Sequence, residues 1–271
     1  MKNNLFRFKF LLAVTCTLLI TNFLSSIPQI SAQLTPVRDN ILGRQINFRR
    51  VTASRGEGAP SGRRQGAGSQ SGECQIGEQQ NPKPLIALVP EETTTDGEKT
   101  AVWGKTSQTN PTFWFYSAYP QDTYVLLELQ DEEENILYET SVQLQSEEPG
   151  LISVTLPSEQ EAVLEAGKKY LWYFYVMCTQ PNSPDDFVHG WVEVSSVNPE
   201  FTNELEQATP MERIELYAEN GFWYDALNEL EKLRSQQPEN PQLNEIWTDL
   251  LEQIDIAEEV SKAPVVQRYL P

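Results

Sequence analysis

The sequence predicts a mainly β protein, an antiparallel β-sandwich followed by a small α-helical hairpin plus a capping helix. Two observations predict this architecture. Between residues 84 and 194, short runs rich in aromatic and β-branched residues are separated by turn residues, as in sandwiches. After Asn198-Pro199, the period of the apolar residues changes from two to near 3.6, which is typical of amphipathic helices.

Residues 1–32 have the three parts of a secretory signal peptide. The start is positively charged, residues 10–24 are apolar, and small residues precede a cut between Ala32 and Gln33. The apolar run is shorter than the roughly 20 residues that span a bilayer, although an uncleaved anchor is the alternative. We therefore expect export to the periplasm or the extracellular space, with no membrane span after cleavage.

Residues 33–77 are predicted to be a flexible arm rich in arginine and glycine. Residues 33–72 carry a net charge of +5, whereas residues 73–271 carry -27. The acidic body would repel nucleic acid and anionic lipid. The arm is interpreted first as a spacer. Alternatively it folds back on the body, or it binds an anionic cell-wall polymer through Arg63 and Arg64.

Two cysteines follow the signal segment, Cys74 and Cys178. An even number of cysteines in an oxidising compartment predicts a disulfide between them. A zinc site is the alternative, but His189 is the only histidine, so soft ligands are too few. We expect neither a metal nor a cofactor.

The sandwich is predicted over residues 78–198. In the run 169–178, both sets of alternating side chains are apolar or aromatic, which indicates a central strand whose second face is also covered. The predicted strands are 84–90, a short one near 100–103, 111–119, 123–131, 136–144, 150–157, 169–178 and 187–194.

A helical unit is predicted over residues 199–258, followed by a tail at 259–271. The three predicted helices are about 203–219, 222–236 and 241–256. Thr209 followed by Glu212 marks a helix start. Trp223 and Tyr224 begin the second helix; they are either an exposed anchor for a partner or packing between the helices and the sandwich.

Three parts of the sequence contain residues that could serve in catalysis or ligand binding. His189 is the only candidate for the general base of a hydrolase triad, but the chain contains no Gly-x-Ser-x-Gly nucleophile elbow. We therefore interpret it as a strand-edge histidine. The acidic run 131–134 fits a solvated hairpin turn, with a Ca²⁺ site as the alternative. The glycines at 56–68 are not followed by Lys-Ser/Thr, so they do not form a phosphate loop.

The tryptophans of the sandwich have two interpretations. They either fill the core, which the alternation favours, or form a platform on which sugars stack. The four residues are Trp103, Trp114, Trp172 and Trp191.

Two local resemblances support the fold. Tyr217, Gly221, Ala226 and Pro238 match offsets of a single tetratricopeptide repeat, although its early Trp and Gly positions are Pro210 and Ile214 here. The run Leu164, Gly167, Tyr170 and Trp172 resembles one found before a late strand in immunoglobulin-like and fibronectin-type sandwiches.

A wider resemblance covers about residues 48–256. The segments GRRQGAG, LIALVPE, PTFWFY, YLWYFYVMC and ERIELYAENGFWYDAL resemble a cyanobacterial domain-of-unknown-function family, number 928. The resemblance implies an exported location and no established activity.

From these observations we expect a non-enzymatic cell-envelope protein that acts in protein–protein interaction or scaffolding and has an envelope protein as partner. A carbohydrate-binding module of the envelope or extracellular matrix is the alternative. An enzyme with an acidic site ranks third.

Overall fold

A computed structural model describes residues 44–51, 61–68, 83–93, 100–158, 164–178 and 184–270. All of them belong to one compact unit, Asp39–Pro271. The predicted signal peptide and Cys74 lie outside the described ranges. Among the described residues, no helix is both long and apolar enough to cross a bilayer.

Two β-sheets pack face to face and confirm the predicted sandwich. The six-stranded sheet has the order β2-β3-β9-β8-β5-β6, and the four-stranded sheet has the order β1-β4-β7-β10. The strands are β1 (Leu85–Ala87), β2 (Glu91–Thr93), β3 (Thr100–Thr106), β4 (Thr112–Ser117), β5 (Tyr124–Gln130), β6 (Ile136–Gln143), β7 (Gly150–Thr155), β8 (Lys169–Met177), β9 (Asp186–Val194) and β10 (Val265–Tyr269).

Both sheets are mixed rather than purely antiparallel. Strand β3 pairs in parallel with β9, and β10 pairs in parallel with β7. The segment 259–271, which was predicted to be a tail, therefore contributes an edge strand. Its Arg268 forms an ion pair with Glu231, whose side chain is only 7 % exposed, and this contact fastens the strand to the helices.

The core lies between the sheets and is filled by alternate residues of the strands. On β8, the side chains of Tyr170, Trp172 and Phe174 are buried. The ring of Phe174 stacks on that of Phe115 from β4, with centroids 3.9 Å apart. Each large apolar side chain removed from water in this way contributes about 1.5–3 kcal/mol to folding.

The other face of β8 departs from the prediction. The strand is central, between β9 and β5, but its side chains at 171, 173 and 175 are only half-buried. Tyrosine combines an apolar ring with a polar tip, so it can lie on a face that remains in contact with water. The second face of this sheet is therefore not covered as expected.

The C-terminal helices form the predicted cluster, with five elements instead of three. Helix α2 begins after Thr209, as predicted, and the Thr209 side chain and Glu212 form a capping box. Gly221 has a φ of +77° at the turn after α2, a conformation that favours glycine. The helices are α1 (Pro199–Gln207), α2 (Pro210–Glu219), α3 (Trp223–Gln236), α4 (Pro241–Glu252) and α5 (Glu258–Ser261).

The first turn of α3 packs into the sandwich. Trp223 is 0 % and Tyr224 is 2 % exposed. Trp223 Nε1 donates to the Leu88 carbonyl at 2.7 Å, and the hydroxyl of Tyr224 accepts a hydrogen bond from Trp172 Nε1 at 3.0 Å. The packing alternative is therefore correct, and these residues are not an exposed anchor for a partner.

Residues 61–68, called the strap from here on, join the two sheets. Arg63 exchanges two backbone hydrogen bonds with His189 of β9, and Gly66 donates to Leu85 of β1. A Cβ atom at Gly66 would lie 2.1 Å from a carboxylate oxygen of Asp186, so only glycine fits there. The prediction of a flexible arm over 33–77 is wrong for this part of it.

Residues 44–51, also within the predicted arm, pack on the helices. The ring of Phe48 meets that of Trp223 at 4.8 Å, edge to face. The Phe48 amide donates to Gln253 Oε1 at 2.8 Å, and the Arg49 amide donates to the Ala218 carbonyl at 2.9 Å. The remaining arm residues lie outside the described ranges.

Candidate functional site

The candidate site is the solvent side of the six-stranded sheet, called the outer face. It consists of the alternate side chains of β5, β6, β8 and β9 that point away from the core, and most of them are half-buried or exposed. The outer-face residues used below are Glu128 and Gln130 of β5, Glu139 of β6, Tyr173 and Tyr175 of β8, and Phe187, His189 and Trp191 of β9.

Four rings form a continuous aromatic row across β8 and β9. Tyr173 stacks on Tyr175, with centroids 5.3 Å apart and parallel planes, and on His189 at 5.1 Å and 14°. Phe187 completes the row, 6.1 Å from Tyr175 and 5.9 Å from His189. The register pairs Tyr173 with His189 and Tyr175 with Phe187, so cross-strand pairing builds the row.

His189, the candidate general base, lies inside this row. Burial and the nearby Arg63 guanidinium both lower the pKa of the imidazole, burial more strongly, and favour its neutral form. No side chain in the described part of the chain hydrogen-bonds to the ring, and its Nδ1 is buried. Its observed contacts are ring stacking and the backbone bridge to Arg63. His189 therefore has the contacts of a structural histidine, but it lies within β9, between β3 and β8, and not at a strand edge as predicted.

Arg63 and Arg64 have different environments. The Arg63 guanidinium lies 4.7 Å from the centroid of Phe187 and forms an ion pair with Asp186 at 3.2 Å. Arg64 is 5 % exposed and donates to the Ile254 carbonyl at 2.5 Å. Arg64 is therefore not accessible to an anionic polymer, and this half of the predicted contact is wrong.

Asp186 holds the strap next to the outer face. Its side chain is 1 % exposed and accepts hydrogen bonds from the amides of Ala67 at 2.9 Å and Gly68 at 3.1 Å. The Tyr119 hydroxyl donates to it at 2.8 Å. Burial and the Asp186 charge raise the pKa of Tyr119 far above its ordinary value, so this hydroxyl remains a donor.

Two glutamates face each other on neighbouring strands of the outer face. The register places Glu128 of β5 directly opposite Glu139 of β6 on one side and opposite Tyr173 of β8 on the other. Glu128 is 9 % exposed, and its Oε1 accepts a hydrogen bond from Gln130 Nε2 at 2.6 Å. The carboxylates therefore lie beside the aromatic row.

The electrostatic influence of Glu128 reaches both tyrosines. Burial, followed by the charge of Glu128, raises the pKa of Tyr175 to about 12. The same two causes raise the pKa of Tyr173. Both phenols are neutral at pH 7, and their surroundings favour positive charge over negative charge.

The four tryptophans do not form a shared platform. Trp103, Trp114 and Trp172 are at most 5 % exposed, so the core interpretation is correct for these three. Trp191 is half-buried and lies on the outer face opposite Leu171.

The acidic run 131–134 forms the hairpin turn between β5 and β6. Asp131 accepts hydrogen bonds from the Asn135 and Glu133 amides at 2.8 and 3.0 Å. The hydrogen bonds from Asn135 lower the pKa of the Asp131 carboxyl. Within the described ranges, no group of three or more His, Cys, Asp or Glu side chains is arranged to hold a metal ion.

The predicted disulfide stays a prediction, because Cys74 lies outside the described residues. Cys178 follows the end of β8 and is half-buried. Its amide donates to Asp185 Oδ2 at 2.8 Å.

The sequence alone did not reveal the outer face as a site. The signal was present in the run 169–178, where tyrosines occupy alternate positions opposite the core residues. Because tyrosine fits both a buried and a half-exposed face, the pattern alone does not tell which face meets solvent.

A family model described as Domain of Unknown Function (DUF928) matches residues 60–265. No curated protein matches the sequence. Among solved structures, the C-terminal domain of wzt shows 14 % identity and a TM-score of 0.26, over 35 % of this chain and 64 % of that chain. A Parabacteroides merdae β-glucuronidase (GUS), solved with glycerol in its active site, shows 7 % identity and a TM-score of 0.22, over 51 % of this chain and 23 % of that chain.

The chain thus spans less than two thirds of the length of each of these two structures. At these TM-scores, neither similarity carries an argument about function.

Proposed function

The chain belongs to the DUF928 family, and we propose that it is a non-enzymatic, exported cell-envelope protein that binds a protein partner through its outer face. The observation that carries this proposal is the aromatic row, which remains half-exposed on a fully formed sandwich. Contiguous exposed apolar surface on a folded domain marks interaction sites, and tyrosine is enriched where proteins meet.

The geometry favours a protein over a glycan. The planes of Tyr173 and Tyr175 are parallel at 5.3 Å, so each ring turns a face towards its neighbour. Sugars stack on free ring faces, whereas the outward edges and hydroxyls of this row suit the mixed apolar and polar contacts of a protein interface.

A glycan is the second candidate, because Trp191 and the tyrosine hydroxyls lie on one face. Titration with a panel of neutral glycans, followed by tryptophan fluorescence, tests it. A saturable change in the wild type that is lost in Trp191→Phe would assign the face to a sugar.

Affinity capture from an envelope extract tests the main proposal. We expect the wild-type protein to recover a specific protein. The double variant Tyr173→Ala, Tyr175→Ala should recover about tenfold less of that protein or lower still, because aromatic anchors dominate interface energy. The control is Leu270→Ala, which changes a 75 % exposed side chain outside the outer face.

Each variant must keep a cooperative thermal unfolding transition, so that lost capture reports lost binding. Equal recovery by the wild type and the double variant would refute the outer face as the binding surface.

A further inference from the structure

A cavity of about 590 Å³ lies among the C-terminal helices and shares no residue with the outer face. The last turn of α3, one side of α4, the short helix α5 and the two residues before β10 line it. Its volume is within the range of sites that bind small molecules. A ligand bound here would be additional to the partner proposed for the outer face.

Arg234, in the last turn of α3, lines this cavity with a guanidinium group that is held in place. The guanidinium carbon lies 4.5 Å from the centroid of the Trp247 ring, which is fully buried. Its Nε and Nη2 atoms both donate to Asn244 Oδ1, at 3.0 and 2.9 Å. A stacked and hydrogen-bonded guanidinium is preorganised, so little side-chain entropy is lost when it binds a further acceptor.

One nitrogen of this guanidinium has no hydrogen-bond partner among the described residues. Nη1 is buried and finds no acceptor there, and burial lowers the pKa of the whole group. None of the ion pairs between described residues includes Arg234. Glu231, one turn earlier on α3, pairs instead with Arg268.

The missing acceptor indicates a ligand rather than a purely structural arginine. A cation in the last turn of a helix complements the helix dipole, but this effect leaves the hydrogen bonds of Nη1 unmade. Native proteins rarely contain a buried donor without an acceptor. Nη1 and Nη2 form one edge of the planar fork, so a carboxylate that approaches through the cavity can bind both.

The other charges of the cavity restrict the chemistry of this acceptor. Glu245 and Asp249 are exposed, lie one turn apart on α4, and belong to none of the ion pairs between described residues. They repel a dianion such as a phosphate monoester and attract an ammonium group. Glu258 and Lys262 of α5 form an ion pair with each other. A molecule with one carboxylate and one ammonium therefore matches the remaining charges.

We propose that this cavity binds a short zwitterionic peptide, whose carboxylate accepts hydrogen bonds from the Arg234 guanidinium and whose ammonium lies against Glu245 and Asp249. Arginine binds a carboxylate through two parallel hydrogen bonds, which are charge-assisted and stronger than those between neutral groups. The bound carboxylate gives Nη1 the acceptor that the described residues do not supply.

The Trp247 indole reports on this cavity, because its Nε1 donates at 3.0 Å to the carbonyl of Ser261, a lining residue. Purified protein is titrated with L-alanyl-L-alanine while the indole N–H resonance of Trp247 is followed by NMR. We expect a saturable shift. The C-terminal amide of the dipeptide lacks the carboxylate and its N-acetyl derivative lacks the ammonium, so each should bind at least about tenfold more weakly.

Two variants test the role of Arg234. Arg234→Gln removes the guanidinium and should abolish the saturable shift. Asn244→Asp places a carboxylate where an oxygen already accepts from Nε and Nη2, so it should compete with the ligand and weaken binding about tenfold or more. Asn244 is exposed, so this second variant should stay folded even where Arg234→Gln does not. The matched control is Arg213→Gln, which removes the same charge from a half-buried position on α2.

Three results would overturn the proposal: no saturable shift with the dipeptide, equal binding of the dipeptide and its amide, or unchanged affinity in Asn244→Asp. Equal weakening in Arg213→Gln would also contradict it, since the effect would then reflect the overall charge of the protein. Equal binding of the N-acetyl derivative would refute the contact with Glu245 and Asp249. A protein that binds the dipeptide but captures no envelope protein would support this site and refute the proposed function.

Discussion

Asp225 is a buried carboxylate that fastens helix α3 to the end of strand β3. It accepts hydrogen bonds from the Ser107 amide at 3.0 Å and from the Ser107 hydroxyl at 2.6 Å. Burial raises the pKa of this carboxyl to about 6, although the hydrogen bonds from Ser107 oppose the shift. The folded state therefore binds this proton more tightly than the unfolded state, in which the pKa is near the ordinary value of 3.8.

The sign of the pH effect follows from this difference. The contribution of the protonated Asp225 carboxyl to the free energy of unfolding is complete below about pH 4 and is lost as the pH rises through 6. A shift of two units corresponds to on the order of 3 kcal/mol.

Asp225→Asn should remove this part of the pH dependence while keeping an oxygen that accepts from Ser107. Urea unfolding of both proteins between pH 4 and 7 measures it, with Asp249→Asn as an exposed control on α4. If the free energies of unfolding of the wild type and of Asp225→Asn depend on pH in the same way, the raised pKa assigned to Asp225 is contradicted.

The strap shows how two adjacent residues of one type take on different roles. Arg64 donates to the Ile254 carbonyl beyond the end of α4 and forms an ion pair with Glu91 at 3.1 Å. Arg63 keeps a side chain that is 31 % exposed. The buried arginine is therefore a structural link between the strap and the helices, whereas its neighbour borders the outer face.

We expect Arg64→Ala to lower the free energy of unfolding by about 2–3 kcal/mol, because buried charge-assisted hydrogen bonds are lost. Arg63→Ala should cost less than about 1 kcal/mol, because Asp186 keeps the Tyr119, Ala67 and Gly68 donors. Urea denaturation of the two variants gives the comparison. Equal losses would contradict the different roles assigned to the two arginines.

The strap and β10 are among the elements that the sequence did not predict. The strap is poor in apolar residues, and such a composition normally indicates disorder. Here the strap is ordered by the side-chain contacts of Arg64, by the backbone hydrogen bonds of Arg63 and Gly66, and by the Asp186 carboxylate. Ile254, His189 and Asp186 lie more than a hundred positions away along the chain, so no local pattern could reveal their contacts with the strap.

Across the whole molecule, the sandwich and the helical cluster were predictable from the periods of their apolar residues. The core packing of Trp103, Trp114 and Trp172 was predictable too, because alternation within a strand reports directly on burial. The parallel pairings β3–β9 and β7–β10 were not, since a strand's own sequence does not specify its neighbours. The candidate site was half predictable. Tyr173 and Tyr175 belonged to a recognised strand, but their place beside Glu128 and His189 depends on the register.

The central claim is that a protein partner covers the outer face, and hydroxyl-radical footprinting with mass spectrometry tests it most directly. The labelling of Tyr173, Tyr175 and Phe187 is compared between the purified protein and the protein in its native envelope, with Leu270 as the reference residue. The account predicts that labelling of the three rings falls several-fold in the envelope while that of Leu270 does not change. Equal labelling of the three rings in both samples would contradict it.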